Sequence, residues 1–160
     1  LGTADRVPIP LKVNEQPSYY STGKYTSAWD LARIHTFLHR GAVGRGPFLG
    51  LTGRFSASDA RYMLWTLAHV QDPGKLDRYI GGEPGVSVLH KAGWISVARH
   101  DSGLVYWNGG GLVAVVMTYS SSGAGVSSDI LAGKIAEAAL DRFSQTTLSR
   151  RGAMGRLFFL

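Results

Sequence analysis

Val86-Ser87-Val88-Leu89-His90-Lys91-Ala92-Gly93-Trp94 is where the chain stops reading as helix and starts reading as strand. Val86, Val88 and His90 alternate with Ser87 and Leu89, the period of two that sends successive side chains to opposite faces of a sheet. The spacing predicts a strand that runs to about Trp94 or beyond. Arg99-His100-Asp101-Ser102-Gly103 follows as a predicted turn, and Leu104 to Trp107 as a second strand. Asn108-Gly109-Gly110-Gly111 is a strong hairpin signal, because the tight turns that suit twisted strands need residues tolerant of positive φ. Leu112-Val113-Ala114-Val115-Val116-Met117 is apolar without interruption, which predicts a central strand covered on both faces. Ser120 to Gly125 reads as a loop. A closing helix is expected from about Ser127 to Phe143, burying Ile130, Leu131, Ile135, Ala138 and Ala139.

Upstream of Val86 the period is helical. Thr26 or Ser27 can cap a helix through its hydroxyl. Ala28, Leu31, Ala32, His35 and Leu38 then fall on one stripe, widened by Ile34 and Phe37. Gly41 is the expected terminator. Gly41 to Gly53 is a Gly-rich connection, and a second helix opens at Ser56, with Asp59 three residues on as in a capping box. Phe55 can staple against that helix, whose predicted buried stripe is Ala60, Met63, Leu64, Leu67 and Ala68. Asp72-Pro73-Gly74 stops it, and Gly81-Gly82-Glu83-Pro84-Gly85 punctuates the chain again. Leu1 to Lys24, with Pro8, Pro10 and Pro17, is loop chemistry with room for one short strand or turn.

The order is loop, two helices, three antiparallel strands and a helix, which predicts an α+β domain of layered helices and antiparallel sheet. A length of 160 residues suits one compact domain, and 44% hydrophobic against 18% charged residues permits a packed core. The 21 glycines against 6 prolines indicate many tight turns. The first half offers little to cover the outer edge of the sheet, and an open apolar strand edge is a liability.

A net charge of +6 fits nucleic acid, an anionic cell surface or anionic substrates. No Lys/Arg run interleaved with aromatics occurs, and the only tight basic cluster is Arg150-Arg151, so nucleic acid is not the expected partner. The absence of cysteine excludes disulfides, thiolate catalysis and cysteine zinc sites together. The longest apolar stretch, Leu112 to Met117, is far too short to span a bilayer. The opening at Leu1, without Met or a signal-like leader, reads as a processed, trimmed or cut chain.

His90-Lys91-Ala92-Gly93-Trp94 carries a Lys, a small residue and a Gly on a strand, followed by a hairpin and a helix. This resembles the Lys-Thr-Gly strand of serine β-lactamases and penicillin-binding proteins. Tyr25-Thr26-Ser27-Ala28-Trp29-Asp30-Leu31-Ala32-Arg33 is similar to the helix that follows the omega loop of class A enzymes. Phe55 to Val70 resembles their next helix, and Val88 to Phe143 their last three strands and final helix. The resemblance covers residues 1–144, leaving 145–160 as a tail of unclear role. It implies the C-terminal half of a β-lactamase-like α/β/α sandwich, working outside the cytoplasm, with no cofactor and no metal.

What the resemblance implies for the site is specific. Lys91 would be the catalytic cation, supplying positive charge for a substrate carboxylate and biasing nearby proton transfers. Lys91, Ala92, Gly93 and Trp94 would line the substrate, a β-lactam or a peptidoglycan peptide. Gly93 would let another backbone come close, and the Trp94 N–H would be one of two oxyanion donors. The plain alternative is that Lys91 is a solvated edge-strand residue. Two departures stand out. Ala92 occupies the position where the family usually has Thr or Ser, so a carboxylate-binding hydroxyl is absent, and Trp94 is bulky enough to narrow the cleft.

The larger departure is the nucleophile. The family uses Ser-x-x-Lys at the start of a buried helix. Ser21-Thr22-Gly23-Lys24 fits the letters, but it contains Gly23 and lies too near Lys91, so no nucleophile is assigned in this chain. The family's middle Ser-x-Asn and its Glu-x-x-Leu-Asn loop are also absent, and Glu15 reads as a solvated acid. His35 and His39 have metal-ligand spacing without a third ligand, so core or surface histidines are expected. His90 is expected in a packed or hydrogen-bonded strand site, with general base as the alternative. Gly41 to Gly46 lacks the Lys-Ser/Thr of a phosphate loop. The basic then apolar end, Arg150-Arg151 to Leu157-Phe158-Phe159-Leu160, suits packing on a partner, an added end, or weak membrane docking. The expected function is therefore an acyl-transfer hydrolase whose nucleophile belongs to a missing N-terminal half. A non-catalytic cell-envelope binding module on the same fold is the second reading, and a ligand-free basic scaffold the third.

Overall fold

The computed structural model describes residues 26–50, 54–149 and 157–159. Helix α1 spans Ala28–Ala42 and helix α2 Ala57–Ala68, with a short 3-10 turn at Pro47–Gly50 between them. Strands β1 (Ser87–Ile95), β2 (Ala98–Trp107) and β3 (Gly110–Tyr119) follow, then helix α3 (Val126–Ser149) and a short strand β4 (Leu157–Phe159).

Both early helices begin as the sequence predicts. Ser27 caps α1: its hydroxyl accepts from Asp30 N–H at 3.2 Å while the Asp30 carboxylate accepts from Ser27 N–H at 3.1 Å. Ser56 and Asp59 repeat the arrangement at α2, and the two hydrogen bonds from Ser56 hold the Asp59 carboxyl below its usual range. Each box satisfies two backbone donors that a helix start would otherwise leave orphaned. Ser27→Ala is expected to lower stability by about 1 kcal/mol in urea melts, and an unchanged midpoint would show the cap to be idle.

Gly41 does not end α1. It is buried, and an added Cβ would come within 3.1 Å of Ala60 Cβ, so this glycine lets α1 and α2 approach closely. The terminator is Gly44, whose φ of +76° is the left-handed conformation that glycine adopts without strain.

The sheet runs β1-β2-β3-β4. The first three strands are antiparallel, as predicted, and β4 adds parallel to β3, pairing Gly111, Leu112 and Val113 with Leu157, Phe158 and Phe159. The predicted turn at Arg99 to Gly103 is instead the middle of β2, and the β1–β2 turn is Ser96-Val97. Arg99, Asp101 and Ser102 can lie in a strand because each finds a buried or half-buried partner, described below, whereas His100 Nδ1 is buried without a hydrogen-bond partner. The second turn falls on Asn108-Gly109 as predicted.

Side chains of β3 alternate between two cores. Leu112, Ala114 and Val116 pack with Leu76, Ile80, Val105 and the inner face of α3. Val113 packs on the opposite side with Ala32, Leu89 and Leu104, beneath Leu64 and Leu67. The predicted cover on both faces is thus present. Helices α1 and α2 form one outer layer, and α3 with the 72–81 turns forms the other.

The buried stripes of two helices differ from those predicted. In α2 only Ala60 is fully buried, and Met63 is 42% exposed. In α3 the buried apolar side chains are Ala132, Ala136, Ala139 and Leu140, of which Ala139 is the predicted one, whereas Leu131 is 47% and Ile135 36% exposed. The α3 backbone lies so close to the 72–81 turns that a Cβ at Gly133 would meet Lys75 O at 2.9 Å. Near these turns the inner face is small, Ala132, Gly133 and Ala136, while Leu140 and Phe143 join the core further along.

Candidate functional site

Strand β1 ends the sheet, so its outer edge carries no strand among the described residues. Alternation along it separates the predicted site residues. Leu89, Lys91 and Gly93 face the α1/α2 layer, where Leu89 joins the core; Val88, His90, Ala92 and Trp94 face the α3 layer. Lys91 and Gly93 are exposed on the same face of the edge strand. The Lys91 ammonium donates to the Ala92 carbonyl oxygen. A Cβ built on Gly93 meets no atom within 4 Å, so the space in front of it is open. Ala92 is buried on the opposite face, at 3% exposure. Trp94 is also turned away from Lys91: its ring covers the Lys75 ammonium at 4.8 Å, a cation–π contact. The bulk of Trp94 therefore leaves the Lys91 face clear. A shallow depression at the end of β1 is lined by Gly93, Trp94, Ile95, Ala98 and His100.

The floor beneath Lys91 comes from β2 and α1. Lys91 pairs across the strands with Ser102, and Gly93 with His100. Ser102 Oγ lies 3.1 Å from His35 Nε2, a buried bond between residues 67 apart in sequence. Burial holds the His35 imidazole below its ordinary pKa, against the smaller opposing pull of the Asp101 charge, so it stands neutral at pH 7. One turn further along α1, His39 Nδ1 lies 2.8 Å from the Tyr106 hydroxyl. Burial pushes Tyr106 up to about 12, and burial followed by the Arg40 charge pushes His39 down. The metal-like spacing of the two histidines is thus used to clamp α1 onto β2. No group of three His, Cys, Asp or Glu side chains that could hold a metal occurs among the described residues.

On the α3 face, Asp101 organises a second polar group that strand reading alone misses. One carboxylate oxygen accepts from His90 Nδ1 at 2.8 Å and from Leu76 N–H at 3.1 Å, and the other accepts from Ser102 N–H at 2.9 Å. This ties β1, β2 and the 72–81 turns together behind Lys91. His90 occupies the hydrogen-bonded site expected of it. Burial alone would lower its pKa, but the Asp101 hydrogen bond and the charges of Asp101, Asp77 and Asp72 together raise it. Arg99 in β2 reaches the Asp129 carboxylate at the start of α3, at 2.5 Å. The signal that could have found this network is the count of polar residues between Arg99 and Ser102: a hydrophilic strand segment buried between two layers needs named partners.

Ser21, Lys24 and Glu15 lie outside the described residues, as does Arg150-Arg151. Ser102, which pairs across the strands with Lys91, is 8% exposed and hydrogen-bonded to His35.

Residues 9–143 match the sequence profile of the beta-lactamase enzyme family. Among solved structures, the chain is similar to the β-lactamase from Sphaerobacter thermophilus DSM 20745, at 21% identity and a TM-score of 0.56, covering 78% of this chain and 41% of that one. It is similar to PBP-A at 17% identity and a TM-score of 0.62, covering 83% and 45% respectively. A PBP-A mutant solved as an acyl-enzyme complex with penicillin G gives 18% identity, a TM-score of 0.59, and coverage of 84% and 46%. The chain spans less than half the length of each of these structures. No curated protein matches it.

Proposed function

We propose, for a chain that belongs to the beta-lactamase enzyme family, that it forms one wall of a serine acyl-transfer site whose nucleophile sits on polypeptide outside these 160 residues. The observation that carries this reading is the joint exposure of Lys91 and Gly93 on one face of an edge strand with open space in front of it. An edge strand offers unpaired N–H and C=O groups to an extended substrate backbone. Lys91 supplies the cation for a substrate carboxylate, and the Trp94 N–H serves as an oxyanion donor. The substrate is a β-lactam or a peptidoglycan stem peptide. The serine oxygen adds to the carbonyl carbon, the C–N bond breaks, the leaving nitrogen takes the proton, and water later hydrolyses the ester. Such a reaction belongs outside the cytoplasm, where its substrates are. No described helix is long and apolar enough to cross a membrane.

Labelled penicillin tests the reading. The 160 residues alone are expected to show no acylation. The chain joined to the polypeptide translated ahead of Leu1 in its reading frame is expected to be labelled at a serine, and Lys91→Ala in that protein to slow labelling by roughly ten- to a hundredfold. Labelling of the isolated chain would show that the nucleophile is misassigned. Ala92, which brings no hydroxyl to the wall, favours the second reading, a non-catalytic cell-envelope binding module. Peptidoglycan binding by the joined protein without any acylation would decide for it.

A further inference from the structure

Between residues 31 and 71 the sequence holds five arginines and a single acid, Asp59. Four of those arginines gather where α1 ends and α2 begins. The Arg61 guanidinium donates to the Ala42 carbonyl oxygen at 2.9 Å, and Arg45 N–H donates to the Arg40 carbonyl oxygen at 2.9 Å. A Cβ built on Gly46 would stand 3.1 Å from Arg40 Cβ, so the loop folds back over Arg40. Arg54 precedes Phe55, whose ring packs edge-on against Phe48 at 5.4 Å, beside the same loop. All four arginines are exposed, and none forms an ion pair among the described residues. The Asp59 carboxylate is committed to the Ser56 N–H and hydroxyl, at 2.8 and 2.6 Å. Val43, between Arg40 and Arg45 in the chain, is 63% exposed.

The basic group and the Lys91 face lie toward opposite ends of the domain. His35 meets Ser102 and His39 meets Tyr106, so α1 runs beside β2 in the same direction. Past His39, α1 leads to Ala42 at the end of β2 that carries Trp107. Gly93 pairs with His100, toward the other end.

We infer that Arg40, Arg45, Arg54 and Arg61, with Val43, dock this chain on an anionic bilayer surface and turn the Gly93 end of β1 away from it. Guanidinium groups bind phosphate through paired hydrogen bonds, and each arginine near an anionic leaflet strengthens attachment by roughly fivefold. The fold accounts for only two of the four. Arg61 satisfies a carbonyl at the end of α1, and Arg40 lies in its last turn, where a cation suits the helix dipole. Arg45 and Arg54 serve neither purpose. Like charges held together without acids repel one another, a cost that an anionic partner offsets. Val43 favours lipid over a soluble polyanion, because an exposed apolar side chain gains only where acyl chains can receive it. None of this depends on whether the domain acylates.

Vesicle co-sedimentation of the 160-residue chain tests the inference, comparing mixed phosphatidylglycerol and phosphatidylcholine with phosphatidylcholine alone. Binding to the anionic vesicles only is expected, and most of it should vanish as salt rises from about 0.05 to about 0.5 M. Arg45→Glu is expected to weaken binding by roughly twentyfold with unchanged circular dichroism. Lys134→Glu makes the same change of charge on the exposed side of α3 and should weaken it by less than about twofold. Val43→Ser should weaken it roughly fivefold at constant charge. No binding, or binding indifferent to lipid charge, overturns the inference. So does an equal loss from Lys134→Glu, or a loss seen only when Arg150 and Arg151 are changed to Glu. Binding of soluble polyphosphate as tight as that of vesicles, with no effect of Val43→Ser, overturns it too, because the partner is then an anionic polymer.

Discussion

Asp101→Ala is expected to destabilise the fold by about 3–5 kcal/mol, the range for removing one partner from a buried ion pair. The carboxylate is 2% exposed and serves donors from three places: His90 on β1, Leu76 in the turns, and Ser102 on its own strand. Removing it leaves buried N–H groups without acceptors, each of which keeps its full desolvation cost. Asp101→Asn separates shape from charge. In the folded protein the pKa of His90 is raised, so its pairing with Asp101 contributes fully below the unfolded value near 6.5 and is lost as pH rises through the folded value. The stability gap between wild type and Asp101→Asn should therefore be widest in mild acid and narrow above neutrality. His35 and His39, with lowered values, run the other way and lose stability as pH falls through their folded pKa. Because Asp101 also steadies a protonated His35, that residue adds to the acid-side gap. Urea melts across pH measure it. A gap independent of pH would mean that the charge on Asp101 contributes nothing beyond its hydrogen bonds.

Gly103→Ala is the second large effect. Gly103 pairs with His90 on one side and Ala114 on the other, in the middle strand of the antiparallel trio. A Cβ there would lie 2.5 Å from Leu89 O, 2.6 Å from His90 Cβ and 2.8 Å from His90 Cα. Two of these are backbone atoms, so no side-chain rotation relieves the clash. Strands β1 and β2 would have to separate, which costs on the order of 3 kcal/mol or more and displaces Lys91 as well. Gly93→Ala is the control. Its Cβ meets nothing, so the fold should survive with an unchanged melt, although the methyl group would stand where a substrate backbone is proposed to lie. Equal stability of Gly103→Ala and wild type would show that the β1–β2 pairing differs from the one described.

Much of the fold was legible in short stretches. The hydroxyl cap at Thr26 or Ser27, which the structure gives to Ser27, the Ser56-x-x-Asp59 box, the Asn108-Gly109 turn and the strand at Ser87–Ile95 are local devices, and each stands where its own residues put it. The exposed placement of Lys91 and Gly93 follows from alternation along that strand. The path of Arg99 to Ser102 was not legible in this way. Polar residues between Ala98 and Leu104 look like a turn until their partners are known, and those partners are His35, Leu76, His90 and Asp129. Distances of 67, 25, 11 and 30 residues separate the bonded pairs, beyond the reach of any periodicity.

Amino-acid order by itself settled that α2 opens at a Ser56 cap, that a strand runs through Lys91, which turn joins β2 to β3, and that a lysine and a glycine share one face of that strand. Caps, turns and alternation act over a few residues, so a few residues suffice to specify them. Tertiary structure alone decided which stripe of α3 is buried, that Gly41 joins two helices rather than ending one, and that Asp101 holds the strand behind Lys91. Those outcomes depend on which surfaces meet. Where α3 lies closest to the 72–81 turns, close packing admits alanine and glycine and leaves Leu131 and Ile135 outside, and a buried carboxylate is stable only where distant donors converge on it.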